Sequence, residues 1–287
     1  MNNEEMIREI PINELHPFPN HPFKVKDDDA MKETVDSVKT YGILVPIIAR
    51  RREEGGYEIV SGHRRVHAAE LAGKETVPAI IRDLDRDAAV IVMVDSNLQR
   101  EEILPSERAA AYKMKLEAIK HQGLRNDLTC AQVGYKSQGE KSIQQIAGES
   151  GESKTQVQRY IRLTELNPQL LQMVDGKKIG LTPAVELSYL KPDEQKMLLE
   201  TIESEQATPS LSQAQKMKKM SQENTLNEDT MLELMSKPKK PVTMDIVLPA
   251  DKIKEYFPKN FSVEQVQNVI YKLLDRWHHR HDRDQCR

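Results

Sequence analysis

Residues Val60-Ser61-Gly62-His63-Arg64-Arg65-Val66-His67-Ala68-Ala69 constrain this chain more tightly than any other stretch. Tyr57 to Val60 has the apolar character of a strand, Ser61-Gly62 breaks it, and helical spacing follows as far as Leu71, with Gly73 as a stop. Glycine lets backbone N–H groups approach a ligand closely, and a helix N-terminus carries partial positive charge. Arg64 and Arg65 add two guanidinium forks that match phosphate oxygens. Together these make a phosphate or nucleotide cradle. The competing reading is two arginines on the wet face of an amphipathic helix.

The surroundings of this turn, residues 8–103, read as a compact α+β domain. Ile10-Pro11-Ile12 starts a strand, and a Pro-rich loop runs from His16 to Phe23. Asp27 to Tyr41 is a helix, with Met31, Val35 and Val38 on one face and Gly42 as its end. Ile43 to Arg50 and Tyr57 to Val60 are strands joined through Gly55-Gly56, Val77 to Arg82 is another, and Asp87 to Val94 is a buried helix. Strand signals fade after Pro105, so 104–203 reads as an all-α domain. Within it, a helix ends near Gly123 and 124–142 is a polar loop. Residues 204–241, rich in Ser, Gln, Lys and Glu, read as a linker. Residues 242–287 read as a small C-terminal α/β segment: a strand at Val242 to Leu248, then helices at Asp251 to Tyr256 and Ser262 to Trp277.

Residues 143–164 have the spacing of a helix-turn-helix. Ile143, Ile146 and Ala147 give the first helix an apolar face, Gly151 makes the turn, Ser153 caps the second helix, and Val157, Tyr160 and Ile161 pack it back. The outer face would then show Ser153, Lys154, Gln156, Gln158, Arg159 and Arg162. Gln matches the edge of adenine, and Lys or Arg reaches guanine or phosphate. The alternative is an ordinary helical hairpin with a solvated face. A net charge of −3 means that nucleic acid would be met by local patches rather than by the whole surface. Charged residues at 30%, aromatics at 5% and the two distant cysteines, Cys130 and Cys286, fit a helix-rich protein of a reducing cytoplasm. The N-terminus has no signal-peptide pattern and no apolar run is long enough for a bilayer, so no membrane partner is expected.

With both pieces in this order, the chain resembles the ParB/RepB family of DNA partition proteins over about residues 8–200. The family's Gly-Glu-Arg-Arg box stands here as Gly62-His63-Arg64-Arg65, followed by Ala68-Ala69. Its Gly-Ile-Leu-x-Pro segment is Gly42-Ile43-Leu44-Val45-Pro46, and its Glu-Asn-x-Gln-Arg box is Ser96-Asn97-Leu98-Gln99-Arg100. The resemblance implies an N-terminal domain of the ParB/sulfiredoxin type that binds CTP with Mg²⁺, and a helix-turn-helix that binds a palindromic site in double-stranded DNA. It also implies a homodimer that closes as a clamp, a ParA-type ATPase as partner, and a nucleoid-associated location in the cytoplasm. The nucleotide-binding residues implied are Gly42, Ser61, Gly62, His63, Arg64, Arg65, Asn97 and Arg100, with Asn97 also at the Mg²⁺ position.

His63 and Ser96 stand where the family has glutamates, which removes two carboxylates that Mg²⁺ or a hydrolytic water would use. Nucleotide binding is therefore expected to outlast hydrolysis, which should be slow or absent. Lys24 stands in for a family arginine in His21-Pro22-Phe23-Lys24. Sulfiredoxin-like redox chemistry would need a cysteine where Gly62 stands. A nuclease would need metal-binding carboxylates, and Asp95 and Glu101 read as surface charges instead. A transcriptional or replication regulator built from the same two domains stays open beside partition. His278, His279 and His281 read as a solvated helix end, and Met217, Met220, Met231 and Met235 as packing residues. The stripe of Val269, Leu273, Leu274 and Trp277 leaves a local core and self-association equally open.

Overall fold

The computed structural model describes residues 6–100, 103–127, 135–236, 256–258 and 261–285. Residues 6–98 build a curled five-stranded sheet from β1 (Ile7–Pro11), β2 (Leu15–His16), β3 (Ile47–Arg51), β4 (Tyr57–Ser61) and β5 (Thr76–Ile81). Its order is β1-β5-β3-β4-β2, with β3 parallel to β5 and antiparallel to β4. Successive strand residues face opposite sides, which divides the core in two. Ile47 and Ile59 point to the layer holding α1 (Asp29–Tyr41) and α2 (His63–Leu71), where Met31, Val35, Val38, Val66 and Ala69 are buried. Ile48 and Val60 point the other way, to α3 (Arg86–Leu98), whose Ala89, Val90, Met93 and Val94 pack with Phe18 and Phe23.

The helix expected from Asp27 begins two residues later, because Asp28 is its cap and accepts from the Met31 N–H at 2.8 Å. The strand expected from Ile43 begins only at Ile47. Residues 43–46 form a loop with Leu44 and Val45 exposed, and Pro46 has no N–H for a ladder.

The second domain is organised by α4 (Pro105–Asp127). Its Ala111 and Ala118 pack on α3, and its Tyr112 and Leu116 pack on the helix-turn-helix. Ala109 enters the core of the helices beyond. A helix with apolar contacts all round is a spine rather than a surface helix. Lys115, fully buried on this spine, pairs with Asp95 of α3 and with Glu149 at 2.5 Å. Asp95 is thus an interdomain partner rather than a lone surface charge, while Glu101 lies outside the described residues.

The helix-turn-helix is formed by α5 (Tyr135–Ser150) and α6 (Lys154–Leu163). Gly151 turns the chain at φ +71°, and the Ser153 hydroxyl accepts from the Gln156 N–H at 3.2 Å. Ile146 and Val157 close the pair against α4. Much of the loop expected at 124–142 is helical instead: α4 continues through Gly123 to Asp127, and α5 already starts at Tyr135.

After α7 (Pro168–Asp175), α8 (Leu181–Leu187) and α9 (Pro192–Glu205), the expected linker contains two helices, α10 (Leu211–Gln222) and α11 (Glu228–Ser236). Met217, Met231, Leu234 and Met235 are buried in the same core as Leu170, Leu187 and Leu198. A polar composition overall concealed an apolar face at helical spacing, and residues 211–236 therefore complete the helical domain. The four methionines do pack, three of them buried and Met220 partly.

Residues 239–287 form a separate unit. Its described element is α12 (Val263–Gln285), longer than the helix expected to end at Trp277 and exposing Tyr271, Leu273 and Leu274. The strand expected at 242–248 and the helix expected from Asp251 lie outside the described residues, apart from Tyr256, which sits in a turn. No helix among the described residues is long and apolar enough to cross a membrane.

Candidate functional site

Gly62 is the left-handed N-cap of α2, at φ +109°, and its carbonyl accepts from the N–H groups of Arg65 and Val66. An added Cβ there would lie 2.7 Å from Ile47 Cγ2. The strand thus runs into the helix through the one residue type that fits between the turn and the core. Ser61, the last residue of β4, pairs with Ile48 and is half-buried.

The two arginines that follow diverge. Arg65 turns back onto the 43–46 loop and donates to the carbonyls of Val45 at 2.5 Å and Pro46 at 2.7 Å. Burial lowers its pKa. Two segments recognised separately in the sequence, the arginine box and Gly42 to Pro46, are therefore tied to each other by this side chain. Arg64 instead reaches a cavity of about 680 Å³, with only a long contact of 3.5 Å to Asp28.

That cavity is lined by Lys24, Lys26, Arg64, Arg100 and Lys177, and by Asp28, Glu107 and Asp175. Each carboxylate is already engaged. Asp28 caps α1, Glu107 accepts from the N–H groups of Lys24 and Leu104, and Asp175 accepts from the N–H and hydroxyl of Ser106. Arg100 lies over the Phe23 ring, and burial, then the charge of Arg64, lowers its pKa. Two guanidiniums set close enough to oppose each other favour an anion between them.

Of the residues read from sequence, Arg64 and Arg100 meet here, joined by Lys24. Gly42 lies at the end of α1 beside open space. Asn97 is buried on α3, where its amide N–H donates to the Met93 carbonyl at 2.8 Å. Neither lines the cavity. Glu107 belongs to the segment Leu104-Pro105-Ser106-Glu107 that follows the third family box, whereas Lys26 and Lys177 were not picked out from sequence, because one comes from a loop and the other from the second domain and they share no motif.

His63, the first residue of α2, stacks on His21 with ring centroids 3.9 Å apart. Burial first, then His21 and Arg100, hold its pKa down to about 3, and burial lowers His21 as well. The family's glutamate position thus holds a neutral ring. An imidazole charged in the unfolded chain below about pH 6.5 but neutral when folded makes the unfolded state bind the extra proton. Its contribution is complete above about pH 6.5 and is lost progressively as pH falls toward 3, by up to about 1.4 kcal/mol per pH unit. Thermal melts of the wild type should drop across that window, and His63→Gln should flatten the profile; parallel profiles would contradict this reading.

On α6, Gln158 and Arg159 are exposed, Lys154 and Gln156 are half-buried, and Ser153 serves as the cap. Arg162 faces another way. It donates to the Ser188 hydroxyl at 3.1 Å and carbonyl at 2.7 Å and lies 4.2 Å over the Tyr189 ring. Its work is to fasten α6 to α8, so the reading of Arg162 as a DNA contact is revised.

The family model of the ParB N-terminal domain matches residues 1–98, and that of the ParB HTH domain matches residues 101–214. The chain is 37% identical over 172 residues to the stage 0 sporulation protein J of Bacillus subtilis, covering 60% of this chain and 54% of that one. It is 32% identical over 202 residues to a nucleoid occlusion protein of Halalkalibacterium halodurans, covering 70% and 64%. It is also 32% identical over 186 residues to the chromosome-partitioning protein Spo0J of Thermus thermophilus, covering 64% and 61%. The matches thus span less than two thirds of each relative's own length.

Proposed function

Carrying both ParB domains in order, the chain belongs to the ParB family, and from this we propose that it is a DNA partition protein that binds a specific duplex site and responds to CTP. The observation that carries the nucleotide half is the cavity whose lining gathers Arg64, Arg100, Lys24 and Lys26. Its size falls within the range of small-ligand sites.

When bound, CTP supplies a chain of phosphates whose charge offsets the opposed guanidiniums. Arg64, at the start of α2, adds its charge where the helix dipole already favours an anion. Gly62 lets the turn before α2 pack against Ile47, and Arg65 acts one step back by holding the 43–46 loop. Asn97, buried on α3 and absent from the cavity lining, does not fit the Mg²⁺ position that the family resemblance implied for it. Among the described residues of the lining, Asp28, Glu107 and Asp175 each already accept from backbone or hydroxyl donors, and the ring of His63 is neutral. This supports binding with slow or absent hydrolysis.

DNA would be read by Gln158 and Arg159, with Lys154 and Gln156 at the edge of the same face. The shared spine α4 and the Lys115 bridge from Asp95 to Glu149 give a physical route between the two halves. Pairing of two copies into a clamp, and a ParA-type ATPase as partner, complete the proposal on the family's pattern.

The test is a calorimetric titration with CTP, ATP and GTP, with and without cognate duplex, alongside phosphate release. CTP should bind in preference and little phosphate should appear. DNA affinity should fall steeply with salt, and Arg159→Ala should weaken it while reducing the salt slope by about one. Absence of heat with every triphosphate would end the nucleotide half, and salt-independent DNA binding would end the other.

A further inference from the structure

Resting on the reading of this cavity as a nucleotide site, we infer that Lys177 is a phosphate-contacting residue supplied by the DNA-binding domain. It makes that domain sensitive to the number of phosphates on the ligand. The other cations of the cavity, Lys24, Lys26, Arg64 and Arg100, all come from the N-terminal domain and the segment that follows it. Lys177 is contributed by the second domain, just beyond α7.

Three observations point to this role. The first is where the lysine is anchored. Asp175, two residues before it, accepts from the Ser106 N–H at 3.0 Å and hydroxyl at 2.6 Å. Val174 beside it is buried at 3% exposure. The end of α7 is thereby fixed against the start of α4 at the cavity wall.

The second is the backbone. Lys177 has φ +58°, and the Lys178 N–H returns to the Met173 carbonyl, so the helix ends in a left-handed turn at Lys177. Glycine or asparagine suits that position, and a lysine there is strained. Strain held at one residue on a cavity wall directs attention to its side chain.

The third is charge. Among the described residues, the side chains of Lys24, Lys26 and Lys177 have no ion pair or hydrogen bond, while all three carboxylates of the lining are engaged by donors. The cavity therefore presents unneutralised positive charge from both domains. A short anion can satisfy the cations of one domain. A longer run of phosphates carries enough charge to engage both, and Lys177 is the cation of the second domain.

The experiment compares the full chain as wild type, Lys177→Gly, Lys177→Arg and Arg64→Ala, each titrated calorimetrically with CTP and with CDP. Glycine relaxes the left-handed turn, so Lys177→Gly should melt no lower than the wild type while losing the charge. Its CTP affinity should fall about 10-fold, the loss expected for one charged contact. Its CDP affinity should change little, and Lys177→Arg should keep the discrimination. Equal loss for both nucleotides, or no loss for either, overturns the inference. If Lys177→Gly binds normally while Arg64→Ala does not, this inference fails and the nucleotide site stands. If Arg64→Ala also binds normally, the nucleotide reading of the cavity fails and takes this inference with it.

Discussion

Gly62→Ala is expected to destabilise the N-terminal domain by about 3 kcal/mol and to abolish nucleotide binding with it. Two penalties add at this position. A residue with a side chain at φ +109° meets a backbone penalty of about 1–2 kcal/mol. The new methyl would also sit 2.7 Å from Ile47 Cγ2, and Ile47 is fully buried between the sheet and the α1–α2 layer. Displacing a core side chain in this way adds about 1–3 kcal/mol. Gly55→Ala is the matched control, because Gly55 also has positive φ, at +93°, yet has open space where its Cβ would stand. Urea denaturation of the two variants separates the terms. If Gly62→Ala is no worse than Gly55→Ala, the close approach of backbone to core is not what this glycine provides.

The same position shows how much was legible in the sequence. The strand–glycine–helix turn could be read because each part has its own local signal: alternation, a breaker, then helical spacing with two adjacent arginines. The helix-turn-helix was equally local, with Gly151 and Ser153 each serving the turn and cap that their residue type suits. What escaped was non-local. The sequence sets Arg64 and Arg65 side by side, but successive residues on a helix point about 100° apart. One therefore enters the cavity and the other ties the preceding loop. Arg162 shares the polar character of α6 yet is drawn to Ser188 and Tyr189 by a helix 26 residues further on. Lys115 reads as a solvated charge on a helix, and only the approach of Asp95 and Glu149 lets it be buried. The linker assignment failed for a related reason. Ser, Gln and Lys dominate 204–222, but Ala214 and Met217 lie on one face and the core supplies the rest.

Arg64→Ala and Arg65→Ala should then separate into two phenotypes, although the residues are neighbours in one motif. Arg64 contributes little to the fold: its contact with Asp28 is 3.5 Å long and both side chains are partly exposed. Its loss should leave the melting temperature nearly unchanged. What it removes is half of the opposed guanidinium pair in the cavity, and CTP affinity should fall by about 10- to 100-fold, the range for a charge-assisted phosphate contact. DNA binding without nucleotide should persist, because α6 lies in the other domain and does not touch Arg64. Arg65 behaves in the opposite way. Its two hydrogen bonds are charge-assisted, the one to Pro46 partly buried and the one to Val45 exposed, so Arg65→Ala should lower stability by about 1–2 kcal/mol. Nucleotide binding should weaken only through the loosened 43–46 loop, and Arg65→Lys should recover part of the stability, since a single ammonium can still serve one carbonyl. Denaturant melts and CTP titrations on the same three proteins decide the matter. If Arg65→Ala melts like the wild type and loses CTP as completely as Arg64→Ala, then both guanidiniums grip the ligand directly, and the loop contact in the unliganded chain is one that binding breaks.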